Sequence, residues 1–331
     1  GGGTFNDIGG IGGGASLAHF GMAWADFDDD GDQDVYIKDH DSGGGFANGQ
    51  LFRNDGGGTF SDIASSASVL GPSGATYSLS WSDYDNDGDL DLYLGNHNVA
   101  NNLYRNNGNN TFTDVSASAN VNSNGPFQSA SWADYDNDGD ADLFVAVDGA
   151  EDFFYLNNGS GNFSEIAQPI GLGDSGATRG NVFGDTDGDG DLDLFASRYS
   201  ATNRFYRNEN ATGRYLHVKL TGSNNNKSAI GTTVRAWNNG NVLRGDVDGG
   251  SGYQSQSSLP VEFGFSGNTT SIDSLIVDWP SGTHQIFTTV TTNQTLSVTE
   301  SSSFMEVAST AGVANTGSPT GAAWGDYDGD G

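Results

Sequence analysis

Residues 83–91 read DYDNDGDLD, and this nine-residue pattern decides how the rest of the chain is interpreted. The pattern recurs as DFDDDGDQD at 26–34, DYDNDGDAD at 134–142 and DTDGDGDLD at 185–193, and it begins again as DYDGDG at 326–331. These five segments hold 24 of the 43 acidic residues in the chain. Each complete loop therefore has aspartate at positions 1, 3, 5, 7 and 9 and glycine at position 6.

The residues around each loop predict a repeated β unit. An aromatic residue stands two positions before each loop, a short apolar segment follows it, and an [LF]-[FY]-x-N segment such as 51–54 comes next. Short apolar segments bounded by Gly, Asn and Asp are typical of strands, and no stretch has sustained helical periodicity. The sequence therefore predicts an all-β chain with about four strands in each unit.

The spacing of the loops predicts the domain organisation. The four complete loops start 57, 51 and 51 residues apart, but the fifth starts 141 residues after the fourth, so about 90 residues are inserted. We predict four repeat units over 1–208, an inserted β domain over 209–300 and the start of the next unit over 301–331. Asp326 follows Asp26 by 300 residues, so the segment is expected to be one period of a tandem array.

The loop composition predicts a metal site. Aspartates at positions 1, 3, 5 and 9 place four carboxylates around one point, glycine at position 6 permits a sharp turn, and the position 7 carbonyl can point inward. Such an all-oxygen cage suits Ca²⁺ better than Mg²⁺, and no His or Cys lies in the loops to favour zinc or copper. A merely solvated turn is the competing interpretation, which repulsion between unneutralised carboxylates disfavours. Position 4 is not a predicted ligand, so Asp29→Asn is expected to be nearly silent.

The loop, the [LF][FY]RN segment and the following GxGTFxD[IV] resemble the FG-GAP/VCBS repeat family, whose loops bind calcium in β-propeller blades. The resemblance implies propeller-type four-stranded blades, in a closed ring or an open stack. Carried over loop by loop, it implies four complete calcium sites with these carboxylate ligands: Asp26, Asp28, Asp30 and Asp34; Asp83, Asp85, Asp87 and Asp91; Asp134, Asp136, Asp138 and Asp142; Asp185, Asp187, Asp189 and Asp193. It implies backbone carbonyl ligands at Asp32, Asp89, Asp140 and Asp191, and an incomplete fifth site at Asp326, Asp328 and Asp330.

The inserted segment resembles a second family. Motifs such as YLHVKLTG at 215–222, SAIGTTVR at 228–235 and DWPSG at 278–282 are similar to the UnbV/ASPIC domain, for which we expect a β-sandwich-like fold. The resemblance transfers no catalytic residue and no ligand to this chain.

Composition restricts the function classes. The formal net charge of −31 should repel nucleic acid and anionic membranes, and no apolar run approaches the length of a membrane span. The absence of Cys removes disulfides and thiol catalysis, and the 5 His share no catalytic pattern, so we expect no enzymatic activity. No charged-then-apolar leader follows Gly1, so any secretion signal is expected to be removed or to lie outside this segment.

Two function classes remain. The first is a secreted, calcium-stabilised structural protein that forms a fibre or surface appendage, whose partners are copies of itself arranged end to end. The alternative is an adhesin or lectin-like module at the cell surface whose propeller loops recognise glycans or a protein partner. The 300-residue period favours the structural class.

Overall fold

The computed structural model describes residues 18–40, 48–173, 175–209, 213–223, 226–250 and 255–301. Every regular element in these ranges is a β-strand, so the prediction of an all-β chain is confirmed. The described residues up to Glu300 form one compact unit. In the described ranges no helix has the length and hydropathy needed to cross a membrane.

The first part of the chain consists of antiparallel blades. The first blade contains Ala18–Ala25 (β1), Asp34–His40 (β2), Gln50–Asn54 (β3) and Phe60–Asp62 (β4). The second contains Ala75–Ser82 (β5), Asp91–Ala100 (β6), Asn102–Asn106 (β7) and Phe112–Asp114 (β8). The third contains Asn124–Ala133 (β9), Asp142–Glu151 (β10), Phe153–Asn157 (β11) and Phe163–Glu165 (β12). The fourth shows three strands in the described residues, Ser175–Gly184 (β13), Asp193–Arg198 (β14) and Arg204–Tyr206 (β15).

Each aspartate-rich loop connects the first two strands of its blade. In the second blade the β5–β6 ladder ends at the pair Ser82↔Asp91, so the loop leaves the sheet at Asp83 and returns to it at Asp91. The other three blades have the equivalent pairs Ala25↔Asp34, Ala133↔Asp142 and Gly184↔Asp193. The ladder therefore fixes positions 1 and 9 of every loop close together.

The apolar core lies between neighbouring blades. One cluster joins Phe27 and Tyr36 of the first blade to Leu79 and Leu92 of the second. Similar clusters lie between the second and third blades and between the third and fourth. Because each blade buries its apolar surface against its neighbour, stability is shared along the series, as in other repeat architectures.

The inserted part of the chain forms a two-sheet domain, called here the second domain. Its strands are Arg214–Thr221 (β16), Thr233–Asn238 (β17), Asn241–Asp246 (β18), Val261–Phe265 (β19), Ser271–Asp278 (β20), His284–Thr291 (β21) and Gln294–Thr299 (β22). One sheet has the order β19-β16-β22 and the other β18-β17-β20-β21. Buried residues such as Leu216, Val234 and Phe263 form a common core, so the expected sandwich-like fold is confirmed.

Candidate metal centres

The backbone of each loop folds around the carboxylate at position 1. In the second loop, Asp83 Oδ1 accepts a hydrogen bond from the amide of Asp87 at 3.0 Å, and Oδ2 accepts one from Gly88 at 3.0 Å. Gly88 has φ 97°, a left-handed conformation that favours glycine and explains position 6. The first and third loops repeat these bonds, whereas in the fourth the amides of Gly188 and Gly190 bond to Asp185.

The carboxylate at position 9 ties the loop to the sheet. Asp91 Oδ2 accepts from the amide of Tyr84 at 3.2 Å, and Oδ1 accepts from the amide of Asn106 at 2.7 Å. Asp91 is fully buried, and burial raises its pKa well above the ordinary value. The same pair of bonds occurs at position 9 of the other three loops, at Asp34, Asp142 and Asp193.

Three carboxylates converge in each loop. Ligand atoms within 4.8 Å of one another come from positions 1, 3 and 9 in the first three loops, and from positions 1, 3 and 5 in the fourth: Asp26, Asp28 and Asp34; Asp83, Asp85 and Asp91; Asp134, Asp136 and Asp142; Asp185, Asp187 and Asp189. In the first three loops the position 5 carboxylate lies outside the group and accepts the amide of position 7, as Asp87 does from Asp89 at 3.0 Å.

The converging carboxylates are poorly stabilised by the protein alone. Burial, with a further contribution from Asp29, raises the pKa of Asp26 to about 6. Burial also raises the pKa values of Asp34 and Asp83 to about 7. Each of these shifts means that the folded protein holds the negative charge at a cost, because burial removes water from the carboxylate and the protein's own donors and cations do not fully replace it.

The position 3 carboxylate gives the clearest test of whether a cation fits. In the described residues, Oδ1 of Asp28, Asp85 and Asp136 is buried and has no hydrogen-bond partner. A buried charged acceptor without a donor is destabilising. An all-oxygen group with one uncompensated oxygen per loop therefore fits a hard cation such as Ca²⁺. In the fourth loop Asp187 instead contacts the Arg207 guanidinium.

Position 4, to which the sequence assigned no role, connects neighbouring loops. Asn86 and Asn137 both have left-handed backbones, with φ 58° and 57°. The Asn86 side-chain amide donates to the Gly139 carbonyl at 3.1 Å and to Asp140 Oδ1 at 2.9 Å in the next loop. Asn137 makes the equivalent bonds to Gly190 at 3.2 Å and Asp191 at 3.1 Å. We call these bonds between successive loops amide rungs.

Asp29 occupies position 4 of the first loop and makes different contacts. Its carboxylate accepts from Arg235 at 2.8 Å and from Arg244 at 2.9 Å, both in the second domain. Asp29 lies outside the converging carboxylates, as expected for a non-ligand position, but Asp29→Asn would break two ion pairs, so we no longer expect it to be silent. The sequence shows Asp instead of Asn at this position, but the partners of Asp29 lie more than 200 residues away along the chain.

Position 2 and the [LF][FY]RN asparagine complete the junction between blades. Phe27 packs between Trp81 and Phe112 of the next blade, with ring centroids 6.2 and 5.8 Å away. Asn106 Nδ2 donates to the Phe27 carbonyl at 2.9 Å. Tyr84 is packed and bonded in the same way by Trp132, Phe163 and Asn157 of the third blade. The third loop bonds to the fourth blade through Asn208 and the Tyr135 carbonyl, so the first three candidate metal loops also form the contact surface for the following blade.

The fifth predicted site lies outside the described residues. This applies to Asp326, Asp328 and Asp330 and to the whole predicted segment 301–331 apart from Ser301.

Comparison with protein families identifies both parts of the chain. An FG-GAP-like repeat model matches three times, at residues 42–94, 83–145 and 134–196, and the ASPIC and UnbV model matches residues 222–303. The chain therefore contains three FG-GAP-like repeats followed by an ASPIC and UnbV domain. The FG-GAP-like and UnbV/ASPIC resemblances are confirmed for these residues, whereas calcium binding by the repeats and the tandem array stay predictions.

The chain is also similar to curated proteins. Cartilage acidic protein 1 of Mus musculus and of Homo sapiens are each 30% identical to it over an alignment of 249 residues, and each match covers 70% of this chain. The match covers 38% of the mouse protein and 37% of the human protein, so this chain spans less than two fifths of the length of these relatives. Among solved structures, a chain in the crystal structure of BBS1N in complex with ARL6DN, soaked with lead, matches with a TM-score of 0.32 and 11% identity. That match covers 82% of this chain and 79% of the other, and its score is too low to define a shared arrangement.

Proposed function

We propose that the chain is a calcium-stabilised extracellular structural module without catalytic activity. The observation that carries the proposal is the unpartnered buried carboxylate oxygen at position 3 of three successive loops, Asp28, Asp85 and Asp136. In each loop the carboxylates at positions 1, 3 and 9 would hold the ion, with Asp189 taking the third place in the fourth loop. The ion would supply positive charge to groups that the protein leaves uncompensated.

The position of the loops gives calcium a structural role. Each of the first three loops offers its position 2 side chain and carbonyl to the following blade, and the next blade closes on that surface through an aromatic pair or an asparagine amide. A cation that fixes the loop therefore also fixes the junction between blades. A loop without a cation holds several like charges together, and their repulsion weakens the same junction.

An extracellular setting follows from the expected affinity. Extracellular calcium modules have dissociation constants of about 10⁻⁴–10⁻³ M, so they are occupied where calcium is millimolar. The relatives are named for cartilage and for acidity, and this chain is itself acidic, with a formal net charge of −31. We extend the extracellular assignment to this chain on these grounds.

The second part of the proposal is that copies of the module assemble into a fibre. Trp24 is 49% exposed and Met22 56% exposed, although the equivalent Trp81 and Trp132 pack on the preceding blade. The Asn54 amide donates to the Gln33 carbonyl of its own loop, as Asn106 and Asn157 do to theirs, but these two also donate to the preceding loop. In the described residues the first blade thus presents half of a blade junction, which a preceding blade of the same chain or a blade of a second copy can complete.

Metal analysis combined with thermal unfolding tests the calcium proposal. We expect about four bound calcium ions per chain after dialysis against millimolar calcium, and a lower Tm in excess EDTA. A protein that contains no calcium and melts identically in EDTA refutes the proposal.

Electron microscopy of the protein in calcium tests the fibre proposal. We expect filaments or head-to-tail oligomers that Trp24→Glu abolishes without changing the monomer Tm. Trp237→Glu, at a residue 39% exposed in the second domain, is the matched control and should leave assembly intact. Discrete particles that bind glycans on an array would favour the adhesin alternative instead.

A further inference from the structure

The series of amide rungs is interrupted between the first two loops. By analogy with Asn86 and Asn137, the residue at position 29 should donate to the Gly88 carbonyl, but Asp29 carries a carboxylate and has no donor. Gly88 nevertheless has a partner, because Arg244 Nη1 donates to its carbonyl at 3.1 Å. The same Nη1 lies 2.9 Å from Asp29 Oδ1. A guanidinium from β18 therefore occupies the place of the missing rung.

The remaining Arg244 donors are also satisfied. Nη2 donates to the Asp26 carbonyl at 3.0 Å and to Asp246 Oδ1 at 3.2 Å, and Nε donates to Asp246 Oδ2 at 2.9 Å. The Arg244 side chain is 1% exposed. A charge buried to this extent is tolerated only when it is paired and hydrogen-bonded throughout, so the loss of any partner should be costly.

Other residues of the second domain approach the other two loops. A Cβ added to Gly139 of the third loop would lie 3.2 Å from the Gly264 carbonyl oxygen. In the fourth loop, His217 Nδ1 lies 3.6 Å from Asp185 Oδ2, and both side chains are buried. The second domain thus contacts all four candidate metal loops, and Arg244 is the residue that contacts two of them at once.

We infer that Arg244 is a positioning residue that replaces the amide rung between the first and second loops and docks the second domain on the loops. It holds the backbone at position 1 of the first loop, through the Asp26 carbonyl, and at position 6 of the second, through the Gly88 carbonyl. Because a bound cation fixes these same segments, docking of the second domain should depend on calcium. The dependence of docking on calcium rests on the proposed function, whereas the replacement of the amide rung by Arg244 does not.

A rescue experiment in EDTA tests the rung without calcium. Arg244→Met should lower the Tm by about 5 °C, since it removes the guanidinium donor from the Asp26 and Gly88 carbonyls and one of the donors of Asp246. Asp29 keeps its ion pair with Arg235 in this variant. Asp29→Asn alone should also lower the Tm, because it removes a carboxylate from Arg244 and Arg235. In the Arg244→Met background, however, Asp29→Asn should raise the Tm by about 2 °C, since the hydrogen bond that the amide donates to the partly buried Gly88 carbonyl outweighs the exposed ion pair with Arg235 that is lost.

Asp29→Asn should change the Tm in opposite directions with and without Arg244, and this reversal distinguishes loss of the rung from a general loss of packing. If Asp29→Asn lowers the Tm equally in both backgrounds, the inference is wrong. Asn86→Asp is the matched control, because a carboxylate there loses both donated bonds, to the Gly139 carbonyl and to Asp140, and should therefore be destabilising. Arg244→Lys serves if Arg244→Met does not fold, since a lysine cannot make the five bonds and should give a smaller loss with the same rescue.

Energy transfer across the intact chain tests the calcium step. The chain has no native cysteine, so Ser66→Cys in the first blade and Thr288→Cys in the second domain provide two exposed labelling sites. We expect EDTA to lower the transfer efficiency, and Arg244→Met to lower it in calcium as well. An efficiency that Arg244→Met leaves unchanged overturns the docking role. An efficiency that responds to Arg244→Met but not to EDTA overturns only the coupling to calcium.

Discussion

The substitution Asp85→Asn should distinguish a cation site from a solvated loop, because its effect on stability depends on calcium. Asp85 Oδ1 is buried without a partner, and burial together with the neighbouring Asp87 raises the pKa of its carboxyl. In EDTA, a neutral amide at this position removes an uncompensated buried charge. We therefore expect the free energy of unfolding to rise by roughly 1–2 kcal/mol in the metal-free protein.

In calcium the same change removes a ligand. For a dissociation constant of about 10⁻⁴ M, an intact site adds about 1.4 kcal/mol at 1 mM calcium and about 2.7 kcal/mol at 10 mM. The stabilisation gained from calcium should fall by these amounts if Asp85→Asn abolishes binding at that loop. At 10 mM calcium the loss exceeds the gain, so the variant should be less stable than the unmodified protein by about 1 kcal/mol.

Urea unfolding in EDTA and in 10 mM calcium measures both effects on one pair of proteins. Glu151→Gln removes one negative charge from an exposed residue away from the loops and is the control. It should change stability by less than about 0.5 kcal/mol in either buffer. If Asp85→Asn is destabilising to the same extent with and without calcium, Asp85 is an ordinary structural residue and the loop is not a cation site.

Two further predictions concern pH and the blade junctions. In EDTA the protein should lose stability as pH rises from about 4 to 7. Asp34 and Asp83 have folded pKa values of about 7 against an ordinary 3.8, so the folded state binds more protons than the unfolded state over that window. A Tm that rises with pH in EDTA contradicts this prediction. Asn106→Ala should lower the free energy of unfolding in urea by about 2–3 kcal/mol, because it leaves the buried Phe27 carbonyl unpaired. Asn54→Ala breaks no bond to another blade and should cost less, so equal losses would contradict a stabilising role of the Asn106 bond between blades.

The sequence predicts the elements that are set by local pattern. Alternating apolar residues and glycine turns predict the strands, and the repeated DxDxDGDxD spacing predicts that positions 1, 3 and 9 converge, as they do in Asp83, Asp85 and Asp91. It also predicts convergence of position 5, but Asp87 accepts the amide of Asp89 and lies outside the group. Asp189 accepts the equivalent amide of Asp191 and still belongs to the group in the fourth loop, so spacing alone does not determine which carboxylates converge.

Contacts between distant segments could not be predicted from one sequence. The left-handed backbone at position 4 is by itself enough to explain an asparagine there. The sequence pattern therefore gave no sign that the Asn86 side chain bonds to Asp140 in the next loop. Arg244 is one of 12 Lys and Arg residues, and no local feature marks it as the partner of Asp29. Its role depends on how the second domain packs on the loops, which is a tertiary property.

Position 4 is Asp29 in the first loop and asparagine in the next two loops. This difference explains how the first loop binds a side chain of the second domain where the others bind the next loop. Asn86 and Asn137 join a loop to the next copy of itself, because an amide donates to a carbonyl and to a carboxylate at once. A carboxylate at the same position cannot bond to that carbonyl and instead attracts a cationic side chain. The single change from amide to carboxylate therefore converts a repeat-to-repeat contact into a docking point for Arg244, while the carboxylates at positions 1, 3 and 9 of the first loop still converge as in the second.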